Sequence, residues 1–353
     1  MNTKQIAIAG RPIGVDHPPY IIAEISANHN GSFNRALQTL TMAKERGADA
    51  VKLQTYTADT LTIDSDKEDF QIHGGLWDGY NLYRLYQWAH TPYEWHKPLF
   101  DLASKLDIHC FSTPFDETAV DLLEDLNVPA YKIASFEAVD LPLIRYAAST
   151  RKPMIISTGM ANLDEICEAV ETARDAGCSE LVLLHCISSY PASAEESNLR
   201  TIADLEKRFG VVAGLSDHTL GTTVSVAGVV MGAAVIEKHV TLSRVDKGAD
   251  SEFSLEPHEL GELCNNARTA WSALGRANYD LAPAEEGSLR FRRSIYVLED
   301  VKAGEELTAD NVRRIRPGFG LAPKYYDKVL GKRAACNLER GTALQWDHVK
   351  SFD

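Results

Sequence analysis

The sequence predicts an eight-stranded (β/α)8 barrel followed by a small β-rich C-terminal domain. Three observations carry this. Short, β-branched, nearly continuous apolar runs recur eight times over the first three quarters of the chain. Continuous rather than alternating apolarity marks strands covered on both faces, as in parallel sheets. Helix-period stretches separate most of the runs, and polar residues gather at the C-terminal ends of the runs, the face that carries the active site in such barrels.

The runs are YIIAEISA (20–27), AVKLQTY (50–56), IHCFSTPF (108–115), AYKIASF (130–136), MIISTGM (154–160), ELVLLHC (180–186), VVAGLSDH (211–218) and AVIEKHV (234–240). Between them, RALQTLTMAKERG (35–47) places Leu37, Leu40 and Ala43 on one side and stops at Gly47, and LDEICEAVETARDAG (163–177) stops at Gly177. TTVSVAGVVMGA (222–233) is nearly all apolar and reads as a packed crossover helix. An open doubly wound sheet is the competing fold. It carries a glycine-rich dinucleotide turn after its first strand, and SANHNGS is not one. The stretch 57–92 is long and rich in aromatic residues, which points to a functional loop rather than a disordered one. After about residue 290 the pattern changes to short strands and turns punctuated by Gly304, Gly318 and Gly320. The expected division is a barrel over 1–275, a linker over 276–290 and a small β-rich domain over 291–353.

Composition excludes several classes. The net charge of −14, with no basic block, argues against a nucleic-acid partner. An anionic substrate must therefore be held by a few local positive groups. The six cysteines form no CxxC pair; Cys110 and Cys186 lie in strand-like runs, and buried free thiols in a reducing compartment are expected. The N-terminal stretch lacks the apolar segment of a signal peptide, and no run approaches the ~18 apolar residues of a membrane helix. A cytoplasmic protein with no membrane partner is the expectation. No GxxxxGK, HExxH or GxSxG motif occurs, so nucleotide hydrolysis, zinc peptidase and serine hydrolase chemistry lose their usual support.

The polar strand ends form four constellations. His218 and His239 end consecutive strands, so their rings can converge; two imidazoles suit Mn, Fe, Co or Zn and leave positions open for catalysis. Asp217 and Glu237 are available to orient the rings, with Asp250 as a further candidate. Lys52 and Lys132 sit inside apolar strands, where an unpaired charge is costly, so each needs a partner. A phosphate or carboxylate, helped by the hydroxyls of Thr113, Ser135, Ser157 and Ser216, would be one; Glu24 or Glu137 would be a purely structural one. A Schiff-base lysine is the chemical competitor. Glu24 ends the first strand and reads equally as an acid–base group or as the salt-bridge partner of Lys52. Arg316, beside a Pro-Gly turn, offers a planar fork for carboxylate, phosphate or amide oxygens.

The motifs AEISANHNG (23–31), VKLQTY (51–56), FSTPFD (111–116), YKIASFE (131–137), ISTGM (156–160), HCISSYPA (185–192), GLSDHT (214–219), EKHVT (237–241) and RPGFGL (316–321) resemble those of the sialic acid synthase family nearly end to end. GLWDGYNLYRLYQWAHTPYEWH (75–96) and CISSYPA (186–192) are similar to the branch that makes pseudaminic acid. The chain departs from many N-acetylneuraminate synthases in carrying Ser188 where they have asparagine.

The resemblance implies a (β/α)8 barrel with an antifreeze-like (SAF) domain. It also implies condensation of phosphoenolpyruvate with an amino-sugar aldehyde. Lys52, Thr113, Lys132, Ser135, Ser157 and Ser216 would hold phosphoenolpyruvate. His218 and His239 would hold a divalent ion, Mn2+ or alternatively Mg2+ or Co2+. Ser188 and Asp250 would join the substrate-binding set. Glu24 would face the carbon that water attacks, and Tyr190 would orient Glu24. The aromatic insertion would cover a 6-deoxy sugar. A domain-swapped homodimer is implied, with Arg316 reaching the neighbour's sugar site. Synthases of legionaminic or N-acetylneuraminic acid and a Schiff-base lyase are the alternatives, together with a non-catalytic sugar-binding protein.

Overall fold

A computed structural model describes residues 4–350. The chain divides into two compact units, one ending at Gly275 and the other starting at Arg276. The first opens with a hairpin, β1 (Ile6–Ile8) and β2 (Arg11–Ile13), that the run-by-run reading missed because each strand has only three residues. Eight parallel strands follow and close into a barrel: β3 (Tyr20–Glu24), β4 (Ala50–Thr55), β5 (His109–Pro114), β6 (Tyr131–Ile133), β7 (Met154–Ser157), β8 (Leu181–Cys186), β9 (Val212–Asp217) and β10 (Val235–His239). Strand β10 closes on β3, with His239 opposite Glu24. Each strand corresponds to one of the eight apolar runs.

Two apolar cores explain why the runs are continuous. Alternate residues such as Ile22, Ala50, Phe111, Ile155, Val182, Leu184 and Val235 fill the lumen, and Ile6, Ile8 and Ile13 of the hairpin join them there. The intervening residues, including Ile21, Val51, Tyr131, Ile156, Leu183 and Ile236, pack outward against the helices. Both faces are buried, so the period-2 signal disappears. The principal helices, among them Phe33–Glu45, Leu163–Asp175, Thr223–Val230 and Pro257–Leu274, cover the barrel. Helix starts are set by side-chain caps: Ser32, Asp116, Asp140 and Asn162 each accept a first-turn N–H.

The insertion between β4 and β5 is ordered by short helices, Ala58–Leu61 and Leu82–Ala89. Asn81 caps the second and also donates to the Ser65 carbonyl at 2.7 Å. The indole N–H of Trp77 donates to the Ala249 carbonyl at 3.0 Å, tying the insertion to the loop beyond β10.

The second unit contains strands β11 (Ser294–Val297) and β12 (Val312–Ile315), paired antiparallel. Single bridges pair Ala343 with Tyr296, Leu338 with Val301 and Val349 with Ala334, and Leu338 and Val349 join a core of Ile295, Val297, Leu307, Val312, Leu321 and Leu344. Gly320 passes so close to β11 that a Cβ would lie 2.4 Å from the Ile295 carbonyl oxygen, which explains the glycine in RPGFGL. The segment read as a linker, 276–290, runs into a 3-10 helix (Pro283–Phe291) with no buried residue.

Candidate active site

At the C-terminal ends of the barrel strands lies a cavity of about 450 Å3. Its floor is built from Lys52, Lys132, Ser157, Ser216 and Glu237, and its side from Ser135, Tyr190, His218, His239 and Asp250. The aromatic insertion and neighbouring residues supply the opposite wall, through Ile72, Trp77, Leu85, Tyr86 and Phe115. The rings of Tyr56, Tyr86 and Phe115 interlock edge-on, with centroids 5.9 and 5.1 Å from Tyr56. Through Tyr86 these contacts tie the insertion to the chain just beyond β4 and β5.

Two ammonium and two carboxylate groups, all buried, meet at the floor and directly behind it. Lys52 Nζ lies 2.6 Å from Glu24 Oε2 and 3.2 Å from Thr113 Oγ1, to which it donates. Glu237, which the sequence reading put beside the histidines, instead stands between the lysines: its Oε1 is 3.7 Å from Lys52 Nζ and 3.7 Å from Lys132 Nζ, and it accepts from Ser216 Oγ at 3.1 Å. Burial and these neighbours push the four groups in different directions. Desolvation raises the Glu24 carboxyl to about 7, although Lys52 opposes it. Burial works against the charge on Lys52, but Glu237 and Glu24 outweigh it and hold its pKa up. Burial lowers the pKa of Lys132. Glu237 is pushed up by burial, yet Lys132, Lys52 and His218 bring it below the ordinary range.

Lys52 is therefore largely matched by Glu24, while Lys132 has only a carboxylate 3.7 Å away and a donated bond to the Ile133 carbonyl. The buried Ser157 hydroxyl has no partner among the described residues. A buried polar group left in this state seeks a ligand. A small anion seated between Lys132 and Ser157 would supply it. Beside them Ser135 Oγ and Ser188 Oγ approach to 2.8 Å. Gly159 makes that approach possible: a Cβ there would lie 2.3 Å from Ser135 Cβ and 2.6 Å from Ser188 Oγ. Glu24, Thr113 and Ser188 thus stand behind the cavity surface, touching it through Lys52 and Ser135.

His218 and His239 come together, with ring centroids 5.4 Å apart. Nδ1 of His218 donates to the Ile187 carbonyl at 2.9 Å, which leaves the Nε2 lone pair free. Nδ1 of His239 is buried without a hydrogen-bond partner, and Asp250 Oδ2 is 3.9 Å away. Burial lowers the pKa of both rings, His239 the further, so both are neutral imidazoles suited to a metal ion. Among the described residues no cluster of three His, Cys, Asp or Glu side chains could hold an ion, so water or substrate oxygens would complete the shell. Tyr190 packs its ring on His218 at 4.5 Å and on Phe253 and Trp77 at 5.1 and 5.6 Å. Burial raises its phenol pKa. Asp250 accepts from Ser26 Oγ at 2.5 Å and is raised by burial.

Asp217 departs from the sequence expectation of a ring-orienting partner. Side chains alternate along β9, so with His218 turned to the lumen Asp217 points outward, where it pairs with Lys238 at 2.9 Å. Two cavity residues escaped the sequence reading as ligands. Gln54 donates to Glu24 Oε1 at 3.1 Å, and Glu137 carries a buried Oε2 without a partner and a carboxyl raised to about 7 by burial. Gln54 near the end of β4 and Glu137 in the short 3-10 helix after β6 offered only their nearness to strand ends as a signal.

The profile of the NeuB family matches residues 39–279, and that of the SAF domain matches residues 292–350. The chain belongs to the NeuB family. A pseudaminic acid synthase of Campylobacter jejuni is 45% identical over 330 residues, covering 94% of this chain and 96% of the relative. A pseudaminic acid synthase of Helicobacter pylori is 44% identical over 334 residues, with 94% and 98% covered. Among solved structures, an N-acetylneuraminic acid synthetase of Leptospira borgpetersenii, in complex with citrate, superposes with a TM-score of 0.73 at 30% identity, covering 82% of this chain and 96% of that one. The NeuB barrel and the SAF domain are the two domains expected from the motifs. Within the NeuB barrel, Lys52, Lys132, Ser157, Ser216, His218, Glu237 and His239 of the cavity come from the strand-end motifs that carried the resemblance.

Proposed function

We propose that this chain acts as a pseudaminic acid synthase, joining phosphoenolpyruvate, 2,4-diacetamido-2,4,6-trideoxy-L-altrose and water into pseudaminic acid and phosphate. One observation carries the reading. A cationic, hydroxyl-rich floor and a pair of neutral imidazoles open onto the same cavity. An enol phosphate and an aldehyde can therefore meet there. Identity to two pseudaminic acid synthases over nearly the whole chain supports the choice of sugar.

Lys132, Lys52, Ser157 and Ser216 would hold the phosphate and carboxylate of phosphoenolpyruvate, with Thr113 and Ser135 supporting them. Carbon 3 attacks the aldehyde carbon and forms the new C–C bond. Water adds at carbon 2, and the C–O bond to phosphate then breaks. Glu24, titrating near 7, is suited to take or return the water proton. His218 and His239 would hold a divalent ion, Mn2+ foremost, which when bound supplies Lewis-acid polarisation of the aldehyde. Holding both substrates in line could itself supply roughly 7–11 kcal/mol of the barrier in a favourable case. Glu137 and Asp250 offer acceptors to sugar hydroxyl and amide groups, and the apolar wall offers the 6-methyl group a dry surface.

The exposed apolar residues Phe136, Met160, Leu220 and Val245 follow β6, β7, β9 and β10 around the mouth. Such a rim supports a homodimer in which one subunit's SAF domain covers its partner's barrel and brings Arg316 to the sugar. No helix among the described residues is long and apolar enough to cross a membrane. The free cysteines, four of them buried, support a reducing, cytoplasmic setting.

The lowered pKa of Lys132 also suits a Schiff-base lyase. Mass spectrometry of the product formed from the two substrates separates the readings. A nine-carbon acid with phosphate release, abolished by EDTA, supports the synthase. Lysine labelling by borohydride, with EDTA-insensitive turnover, overturns it.

A further inference from the structure

Behind the two imidazoles, on the outer face of the barrel, lies a second buried acid–amine pair outside the cavity. Strands β9 and β10 run parallel, with Lys238 directly opposite Asp217. Each residue immediately precedes a cavity histidine. Lys238 Nζ lies 2.9 Å from Asp217 Oδ2, and both side chains are fully excluded from solvent. The remaining hydrogen bonds of the pair go to Thr219 and Ser225. Asp217 Oδ1 accepts from the Thr219 N–H and from Thr219 Oγ1, both at 2.8 Å. Asp217 Oδ2 accepts from Ser225 Oγ, at the start of the covering helix, at 2.5 Å. The Lys238 ammonium donates to the Thr219 carbonyl at 2.5 Å.

These bonds form a closed ring around one residue. Asp217 and Thr219 flank His218, and Lys238 grips both of them from the neighbouring strand. The backbone of His218 is fixed from the other side as well, since its carbonyl accepts from Ala192 N–H at 3.0 Å. A fully buried ion pair adds little net stability over apolar residues of the same shape, and its best-attested use is to fix register. Here the register in question sets the spacing of the two imidazoles.

We propose that Asp217 and Lys238 are a positioning pair: by locking the ends of β9 and β10 together, they hold His218 and His239 at the separation a shared metal ion requires. This rests on the two-histidine metal site proposed above. Metal affinity should fall when the lock is removed, and by more than the affinity of the anion floor, because both metal ligands follow the lock whereas Lys52, Lys132 and Ser157 stand on other strands and only Ser216 and Glu237 share β9 and β10.

The test is a titration of the full chain with Mn2+, followed by the electron paramagnetic resonance of free Mn2+, beside a titration with phosphoenolpyruvate. The double variant Asp217→Asn/Lys238→Met removes both charges while keeping the acceptor for Thr219. Ser225→Ala removes a single bond and is the milder second variant. Wild type is expected to bind one Mn2+, and His218→Ala to lose it. The double variant is expected to bind Mn2+ at least about tenfold more weakly, within the range seen when groups behind metal ligands are removed, with a clearly smaller loss of phosphoenolpyruvate affinity. Ser225→Ala should show a smaller loss in the same direction. Mn2+ affinity within twofold of wild type in both variants would overturn the positioning role while leaving the metal site intact. Failure of wild type to bind Mn2+ would overturn the metal site itself. If the double variant does not fold, Ser225→Ala decides.

Discussion

The barrel buries two sets of acid–amine groups on opposite faces of the same sheet, and they are finished differently. On the outer face every polar atom of Asp217 and Lys238 that the structure describes is matched by a charge or a hydrogen bond. Inside the mouth, Ser157 Oγ, Glu137 Oε2, Glu237 Oε2 and His239 Nδ1 are buried without hydrogen-bond partners. Folding alone would not keep such atoms unpaired, because each costs about 1–3 kcal/mol. The difference teaches where chemistry is placed. A closed network fixes the frame, and an open one waits for ligands.

Substitutions on the two faces can break this contrast. Lys132→Met should cut kcat/KM for phosphoenolpyruvate by roughly 10²–10³-fold, as loss of a preorganised cationic donor does, with little change in urea midpoint. A variant that unfolds instead would assign Lys132 to the frame. Next, mixing Arg316→Ala with His218→Ala chains, each nearly inactive, should restore about one quarter of wild-type activity if each site draws on two subunits, because half of randomly formed dimers carry one intact site. No recovery after subunit exchange would mean that Arg316 serves its own barrel or none. Lys238→Met alone strands the Asp217 carboxylate, at an expected cost of about 3–5 kcal/mol in unfolding free energy. A loss below about 1 kcal/mol would show that the outer network relaxes.

The smallest effect concerns pH. Glu137, raised to about 7 by burial, keeps a proton in the folded chain that the unfolded chain releases near its ordinary value. Between those two values the folded state binds more protons, so its contribution to stability declines as pH rises and reaches its minimum above about 7. Glu137→Gln should therefore flatten the fall in Tm between pH 5 and pH 7. An unchanged slope would place the titrating group elsewhere.

Much of this was legible in the residues. Strands buried on both faces write themselves as unbroken apolar runs, so all eight barrel strands appeared, as did the polar ends that build the cavity. The hairpin β1–β2 did not, since three-residue strands leave no period to read. The partners of buried charges were also hidden. Spacing alone left Lys52 between Glu24 and a ligand, and only the closed barrel brings Glu24 to 2.6 Å from it. Glu237 and Asp217 each adjoin a histidine motif in the sequence. Alternation along the strand, fixed by register, sends one into the mouth and the other to the helices.

The most direct test is crystallographic: the full chain with phosphoenolpyruvate and Mn2+, with anomalous scattering to locate the ion. The expected result is one anomalous peak between His218 and His239, with the phosphate on Lys132 and Ser157 in the same cavity. An ion bound away from the imidazoles, or an enol phosphate seated outside the barrel mouth, would contradict it.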